Sequence, residues 1–223
     1  MYKYKFELIT NGCDISEYEK HWEMRTIKNT KFTMVYSGAM ADSRNPLRFL
    51  DVLAELKKNG VINNENFQIK FIGMLDQNTL AEILNKNLLD IIYVILPLVR
   101  EEFISCICNA DLLLVINYQV KTVIPGKIYD YWCAKKPVLL LDSSDSMAAQ
   151  IVNENNLGAV KAPYDVKGIC DIITHFFLLR KKDSMCADIN VKNLYHYARE
   201  KLTEKLICNN SFRFFSISKI KDD

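Results

Sequence analysis

A chain of 223 residues that is 49% apolar and 25% charged has the length and balance of a globular protein with a substantial core. A formal net charge of +2 is too small to argue for nucleic acid, or any acidic polymer, as the main partner. With 7 Gly and 5 Pro there is little room for long linkers or a turn-rich all-β fold, and the apolar runs are far shorter than a membrane span.

The start, Met1 to Phe6, leads into no apolar stretch of signal-peptide length, so a cytoplasmic location is expected. Tyr4–Ile9 reads as a strand, followed by a turn at Asn11-Gly12 and a charged connector holding Trp22. Strand-length apolar runs then appear at Phe32–Tyr36, Phe67–Ile72, Ile91–Leu96, Leu112–Ile116 and Val138–Leu141. Helical patterns separate them at Pro46–Lys58, Asn78–Asn87, Glu101–Asn109, Gly126–Ala134 and Asp145–Glu154. After Gly158 the pattern turns mostly helical, over Val166–Leu179 and Asn193–Cys208. Runs such as Leu112–Ile116, apolar at every position, suit strands covered by helices on both faces. The alternation predicts a doubly wound, Rossmann-like α/β fold with a parallel sheet, whose ligands bind beyond the carboxyl ends of the strands.

The seven cysteines (Cys13, Cys106, Cys108, Cys133, Cys170, Cys186 and Cys208) are odd in number and irregular in spacing, and form no Cys-x-x-Cys pair. Neither a disulfide framework nor a zinc site is expected, and reduced thiols are. His21, His175 and His196 show no metal spacing either.

Two loops carry the chemistry. The segment Ser37–Pro46 is long for a strand-to-helix connection, and Asn45 as N-cap with Pro46 at the first helical position sets Arg44 beside a helix start. The segment Ile124–Leu141 compresses a helix start, a short amphipathic helix and a buried strand. There Pro125 suits the first helical position, and Gly126 permits close backbone approach of a ligand to N–H groups that attract anions. Lys127 adds a full charge in a place mildly unfavourable to the helix dipole, which favours a functional role over a solvated surface lysine. Asp130, three residues on, supplies a carboxylate able to accept sugar hydroxyls. The unit reads as half of a nucleotide-diphosphate site. No Gly-x-Gly-x-x-Gly follows the first strand, which argues against a dinucleotide-dependent dehydrogenase.

In order and spacing these segments resemble the carboxyl-terminal, donor-binding domain of GT-B glycosyltransferases of the family 4 type. Leu8–Asp14 resembles the Asn-Gly-x-Asp segment that closes their amino-terminal domain; Phe32–Gly38 resembles the first donor-domain strand, and Arg44 the basic residue six positions beyond its glycine. Ala110–Val115 resembles their Ala-Asp strand, Pro125–Tyr131 with Lys136-Pro137 a known variant of their donor motif, and Tyr197–Leu202 their closing helix. The chain departs from that pattern in having Thr122 and Asp130 where a pair of glutamates is usual, Ala39 in place of a second basic residue, and Pro97 in place of a base-loop glycine.

The resemblance implies a donor half that binds a nucleotide-diphosphate sugar. Lys127 and Arg44 would act on the leaving diphosphate and Asp130 on the ribose, with Gly38, Thr122, Pro125 and Gly126 among the donor contacts. It implies no metal and no cofactor beyond that donor substrate. Residues 1–30 would be a remnant of the interdomain segment, 31–192 the nucleotide-sugar domain, and 193–223 the closing helix and tail. The expected activity is hexosyl transfer in cell-surface polysaccharide or glycan synthesis, incomplete without an acceptor-binding amino-terminal domain that is not on this chain. Phe212–Phe215 would face that domain or make a peripheral membrane contact. Two alternatives share the nucleotide site: half of a GT-B-type sugar-nucleotide epimerase, and a non-enzymatic nucleotide-binding or assembly module.

Overall fold

The computed structural model describes residues 8–23, 29–39, 47–117, 121–182 and 189–218. Among them six strands form one all-parallel sheet: β1 (Phe32–Ser37), β2 (Phe67–Ile72), β3 (Ile92–Ile95), β4 (Leu112–Ile116), β5 (Val138–Leu141) and β6 (Gly158–Lys161). They lie in the order β3-β2-β1-β4-β5-β6. This is the doubly wound α/β architecture that the alternation predicts. The sixth strand is a correction to the helical reading after Gly158. Gly158-Ala-Val-Lys161 has no continuous apolar run because it is an edge strand, partly exposed, and its pairing with β5 (Val138↔Gly158 through Leu141↔Lys161) orders it.

Strand periodicity sends alternate side chains to opposite faces. Met34, Tyr36, Leu112, Leu114, Leu139 and Leu141 pack on one side with α2 (Leu47–Lys58), α3 (Gln77–Asn85) and α7 (Val166–Lys181). Val35, Leu113, Val115, Val138 and Leu140 pack on the other with α4 (Arg100–Cys108), α5 (Lys127–Cys133) and α6 (Met147–Glu154). Burial on both faces is why the central runs carry no polar alternation. Side-chain caps fix several helix starts: Asp76 accepts from Thr79 N at 2.6 Å, Ser146 from Ala149 N at 3.0 Å, and Asp165 from Gly168 N at 2.8 Å. Helix α7 runs past its expected end at Leu179, and Arg180 there pairs with Asp111 at 2.9 Å.

The first described segment is stitched to the last. Cys13 N donates to Tyr197 O at 3.1 Å and Arg199 N to Cys13 O at 2.9 Å, forming a parallel bridge between Cys13 and Ala198. From there α1 (Ser16–Glu23) crosses onto α4, while α8 (Val191–Leu194), a 3-10 turn (Tyr195–Tyr197) and α9 (Arg199–Ser218) complete the described chain. Cys13 is joined by a disulfide to Cys133, the last residue of α5. The expectation of reduced thiols fails for this pair, since a partner 120 residues away leaves no local spacing to read. Among the described residues no helix is long and apolar enough to cross a membrane, and no group of three His, Cys, Asp or Glu is arranged to hold a metal ion. Most of the strand expected at Tyr4–Ile9 lies outside the described residues, as do Pro46 and Cys186.

Candidate functional site

The sheet order reverses between β1 and β4, which sit side by side with β1 running on toward β2 and β3 and β4 toward β5 and β6. At such a switch point the loops leaving the two strands diverge and open a crevice beyond their carboxyl ends. Both loops singled out from the sequence start there.

Gly38 follows β1 with φ +127°, a conformation that favours glycine, and its N–H donates to Ile72 O at 2.9 Å. Gly73, after β2, has φ +142°, and a Cβ there would lie 2.4 Å from Gly38 O. The two strand ends thus meet as bare backbone. Around them Gly38, Ala39, Ile72, Gly73, Met74, Pro97, Leu98 and Phe103 line an apolar cleft of about 300 Å³. Pro97 is part of that wall.

Lys127 reaches across the switch point. Its ammonium donates to the carbonyl oxygen of Ser37, lies 4.2 Å from the centre of the Tyr36 ring, and would stand 3.0 Å from a Cβ added at Gly38. Tyr131, fully buried on the same helix, accepts from Ser37 N at 3.1 Å and shares a 3.0 Å hydrogen bond with Ser37 Oγ. Burial holds the Tyr131 phenol well above its usual pKa, so it stays protonated, with hydrogen bonds from Ser37 working weakly the other way.

The helix start differs in detail from expectation. Helix α5 begins at Lys127 with Gly126 as its N-cap, so Pro125 stands just outside the helix and not at its first position. Ile128 N donates to Pro125 O at 3.0 Å and Tyr129 N to Gly126 O at 3.1 Å, a tightly wound first turn that uses the Pro125 carbonyl. Gly126 is exposed and faces the Asn11 side chain, whose Nδ2 would be 3.7 Å from an added Cβ. Thr122 is exposed in the turn ahead of the helix, a turn anchored by Met147 N donating to Lys121 O at 2.8 Å. Arg44 and Asn45 lie outside the described residues.

Asp130 turns away from Lys127. Its Oδ1 accepts from Tyr18 Oη at 2.7 Å and from Arg100 Nη2 at 2.8 Å, and Arg100 is in turn gripped by Glu17 through Nε at 2.9 Å and Nη2 at 2.6 Å. Burial works to lower the Arg100 pKa, but hydrogen bonds to Glu17 and Asp130 outweigh it, and the guanidinium is held above its ordinary value. Burial first, then the Asp130 carboxylate, raise the Tyr18 phenol as well. None of Glu17, Tyr18 and Arg100 was singled out from the sequence. Arg100 carried the same signal as Lys127, a cation in the first turn of a helix, but the helix was expected to begin one residue later at Glu101.

A larger cavity, about 920 Å³, lies between α1 and α4 and is lined in part by Lys20, His21, Lys70, Glu102 and Asn109. Size alone does not make it the site: it lies off the switch point, and neither β1 end nor the Lys127 loop contributes to it.

Comparison with known proteins agrees with this fold. No curated protein matches the chain. Among solved structures the chain is similar to a glycosyltransferase from Rickettsia africae ESF-5 (TM-score 0.69, 14% identity, 97% of this chain and 58% of that one). It is similar to Alr3699/HepE of Anabaena in complex with UDP-glucose (TM-score 0.65, 14% identity, 91% and 57%). It is also similar to WaaG, a glycosyltransferase involved in lipopolysaccharide biosynthesis (TM-score 0.64, 18% identity, 87% and 52%). At these identities the likeness is one of fold, and the chain spans little more than half of each of these proteins. A family model, glycosyl transferases group 1, matches residues 18–192, which takes in all six strands and both loops of the crevice. Sheet order, crevice and sequence pattern therefore converge: the chain belongs to the glycosyl transferases group 1 family.

Proposed function

We propose that this chain is the donor-binding half of a glycosyltransferase, holding a nucleotide-diphosphate sugar in the crevice between β1 and β4. The observation that carries this reading is the Lys127 ammonium, planted from the β4 side beside the bare backbone of Ser37 and Gly38 at the end of β1. A diphosphate in the crevice would gain a charge-assisted contact from Lys127, with Arg44 as the second cation, and the ribose would sit against Asp130. As the bond from sugar to diphosphate breaks, negative charge grows on the leaving oxygens. Lys127 therefore stabilises the transition state more than the ground state. That Alr3699/HepE was solved with UDP-glucose supports a nucleotide-sugar donor.

The same reading assigns residues 1–30 to an interdomain segment, 31–192 to donor binding and 193–223 to a closing helix that meets an acceptor-binding domain. Hexosyl transfer in surface polysaccharide or glycan assembly, in the cytoplasm or at its membrane face, is the activity we infer for the completed enzyme. The isolated chain would bind donor and transfer nothing.

Titration calorimetry with UDP, GDP, ADP and CDP tests it. One of them should bind, and Lys127→Ala should weaken that binding about tenfold or more, whereas Lys167→Ala, at the distant start of α7, should not. A folded sample that binds none of the four sinks the proposal.

A further inference from the structure

Asp130 is the one carboxylate on α5, three residues on from Lys127, and one of its two oxygens is already engaged. Oδ1 takes both hydrogen bonds, from Tyr18 and from Arg100, and among the described residues nothing donates to Oδ2. The side chain keeps 23% of its surface exposed. Its two partners are themselves immobilised. Tyr18 is fully buried on α1, and Arg100 is gripped by Glu17, with its guanidinium 5.7 Å from the centre of the Tyr18 ring and 5.8 Å from that of Phe103, a residue of the cleft wall.

We infer that Arg100 and Tyr18 are positioning residues that lock Asp130 through one oxygen and so present the other, already oriented, as acceptor for a vicinal diol. This deepens the function proposed above and rests on it: the diol is the ribose of the bound nucleotide. The physical argument is pre-organisation. A free aspartate at a helix surface loses rotamer freedom when it binds a hydroxyl, and a carboxylate flanked by no cation pays more to shed water. Here both costs are met before the ligand arrives. Arg100 carries the charge balance, since it lies between Glu17 and Asp130, and Tyr18 supplies a neutral donor whose raised pKa keeps its proton in place.

The test compares each nucleoside diphosphate (UDP, GDP, ADP, CDP) with its 2′-deoxy counterpart by calorimetry, on the full chain and on Tyr18→Phe, Arg100→Met and Arg100→Lys. The unaltered chain should prefer the ribonucleotide about tenfold, the worth of one hydrogen bond to a charged group. Tyr18→Phe and Arg100→Met should shrink that preference toward one, and Arg100→Lys should restore part of it. A merely structural role would weaken ribo and deoxy forms equally and leave the ratio untouched, which overturns the inference. So does a full ratio in Tyr18→Phe, a variant that removes one hydroxyl and stands in if Arg100→Met fails to fold. Absence of all nucleotide binding by the folded, unaltered chain instead removes the underlying function.

Discussion

The hydroxyl of Tyr131 meets Ser37 twice, accepting from its backbone N–H at 3.1 Å and sharing a 3.0 Å hydrogen bond with its Oγ. One buried phenol thus fastens the helix that bears Lys127 and Asp130 to the end of β1. Removing it in Tyr131→Phe leaves the Ser37 N–H without that acceptor and should cost about 1–2 kcal/mol. Ser37→Ala keeps the backbone bond and should cost less, about 0.5–1 kcal/mol. Urea denaturation would show this as a larger fall in midpoint for Tyr131→Phe at an unchanged m-value.

The two strand-end glycines should respond differently to an added methyl. Both have positive φ, but at Gly38 the nearest atom is the far end of the Lys127 side chain, at 3.0 Å, while at Gly73 it is the Gly38 carbonyl oxygen, at 2.4 Å. A lysine tip can move and a backbone cannot. Gly38→Ala should therefore fold with a modest loss, about 1 kcal/mol, whereas Gly73→Ala should lose about 2–3 kcal/mol or more. Thermal melts of the pair check the order, and equal losses would contradict it.

The Cys13–Cys133 disulfide closes a loop across most of the chain. Among the described residues Cys106, Cys108, Cys170 and Cys208 carry free thiols. A thiol assay on unfolded protein should show at least two more thiols once reductant is added than without it, and an unchanged count would contradict the bond. On the loop-entropy account the cross-link contributes up to about 4–5 kcal/mol, so reduction should lower the melting temperature.

The remaining thiols should separate by reactivity. Burial pushes the Cys108 thiol up to about 11, against a weak pull downward from Lys136, while Cys208 is exposed on α9. The thiolate is the nucleophile, so at pH 8 Cys108 is almost wholly protonated and inaccessible as well. Timed iodoacetamide labelling at pH 8 followed by peptide mass analysis should find Cys208 modified long before Cys108. Raising the pH toward 10 should speed Cys108 only where the chain opens.

What the sequence disclosed follows from how local each cause is. Leu112–Ile116 declares itself because a strand buried on both faces must be apolar throughout, and Lys127 declares itself because a cation at a helix start opposes the dipole. β6 stayed hidden because its order comes from β5 and not from its own residues. Tyr18 and Asp130 lie 112 positions apart, and only the crossing of α1 over α4 brings them within hydrogen-bonding distance. Arg100 stayed hidden because the helical pattern of the sequence begins at Glu101, one residue after α4 itself does.

The floor where Gly38 meets Gly73 is peptide without side chains, and at Gly73 the Gly38 carbonyl leaves no room for an added atom. Substitution there can only subtract space, never create it. A lineage carrying this crevice is therefore free to adapt through its walls, at Met74, Pro97, Leu98 and Phe103, while the floor admits change in one direction only: loss.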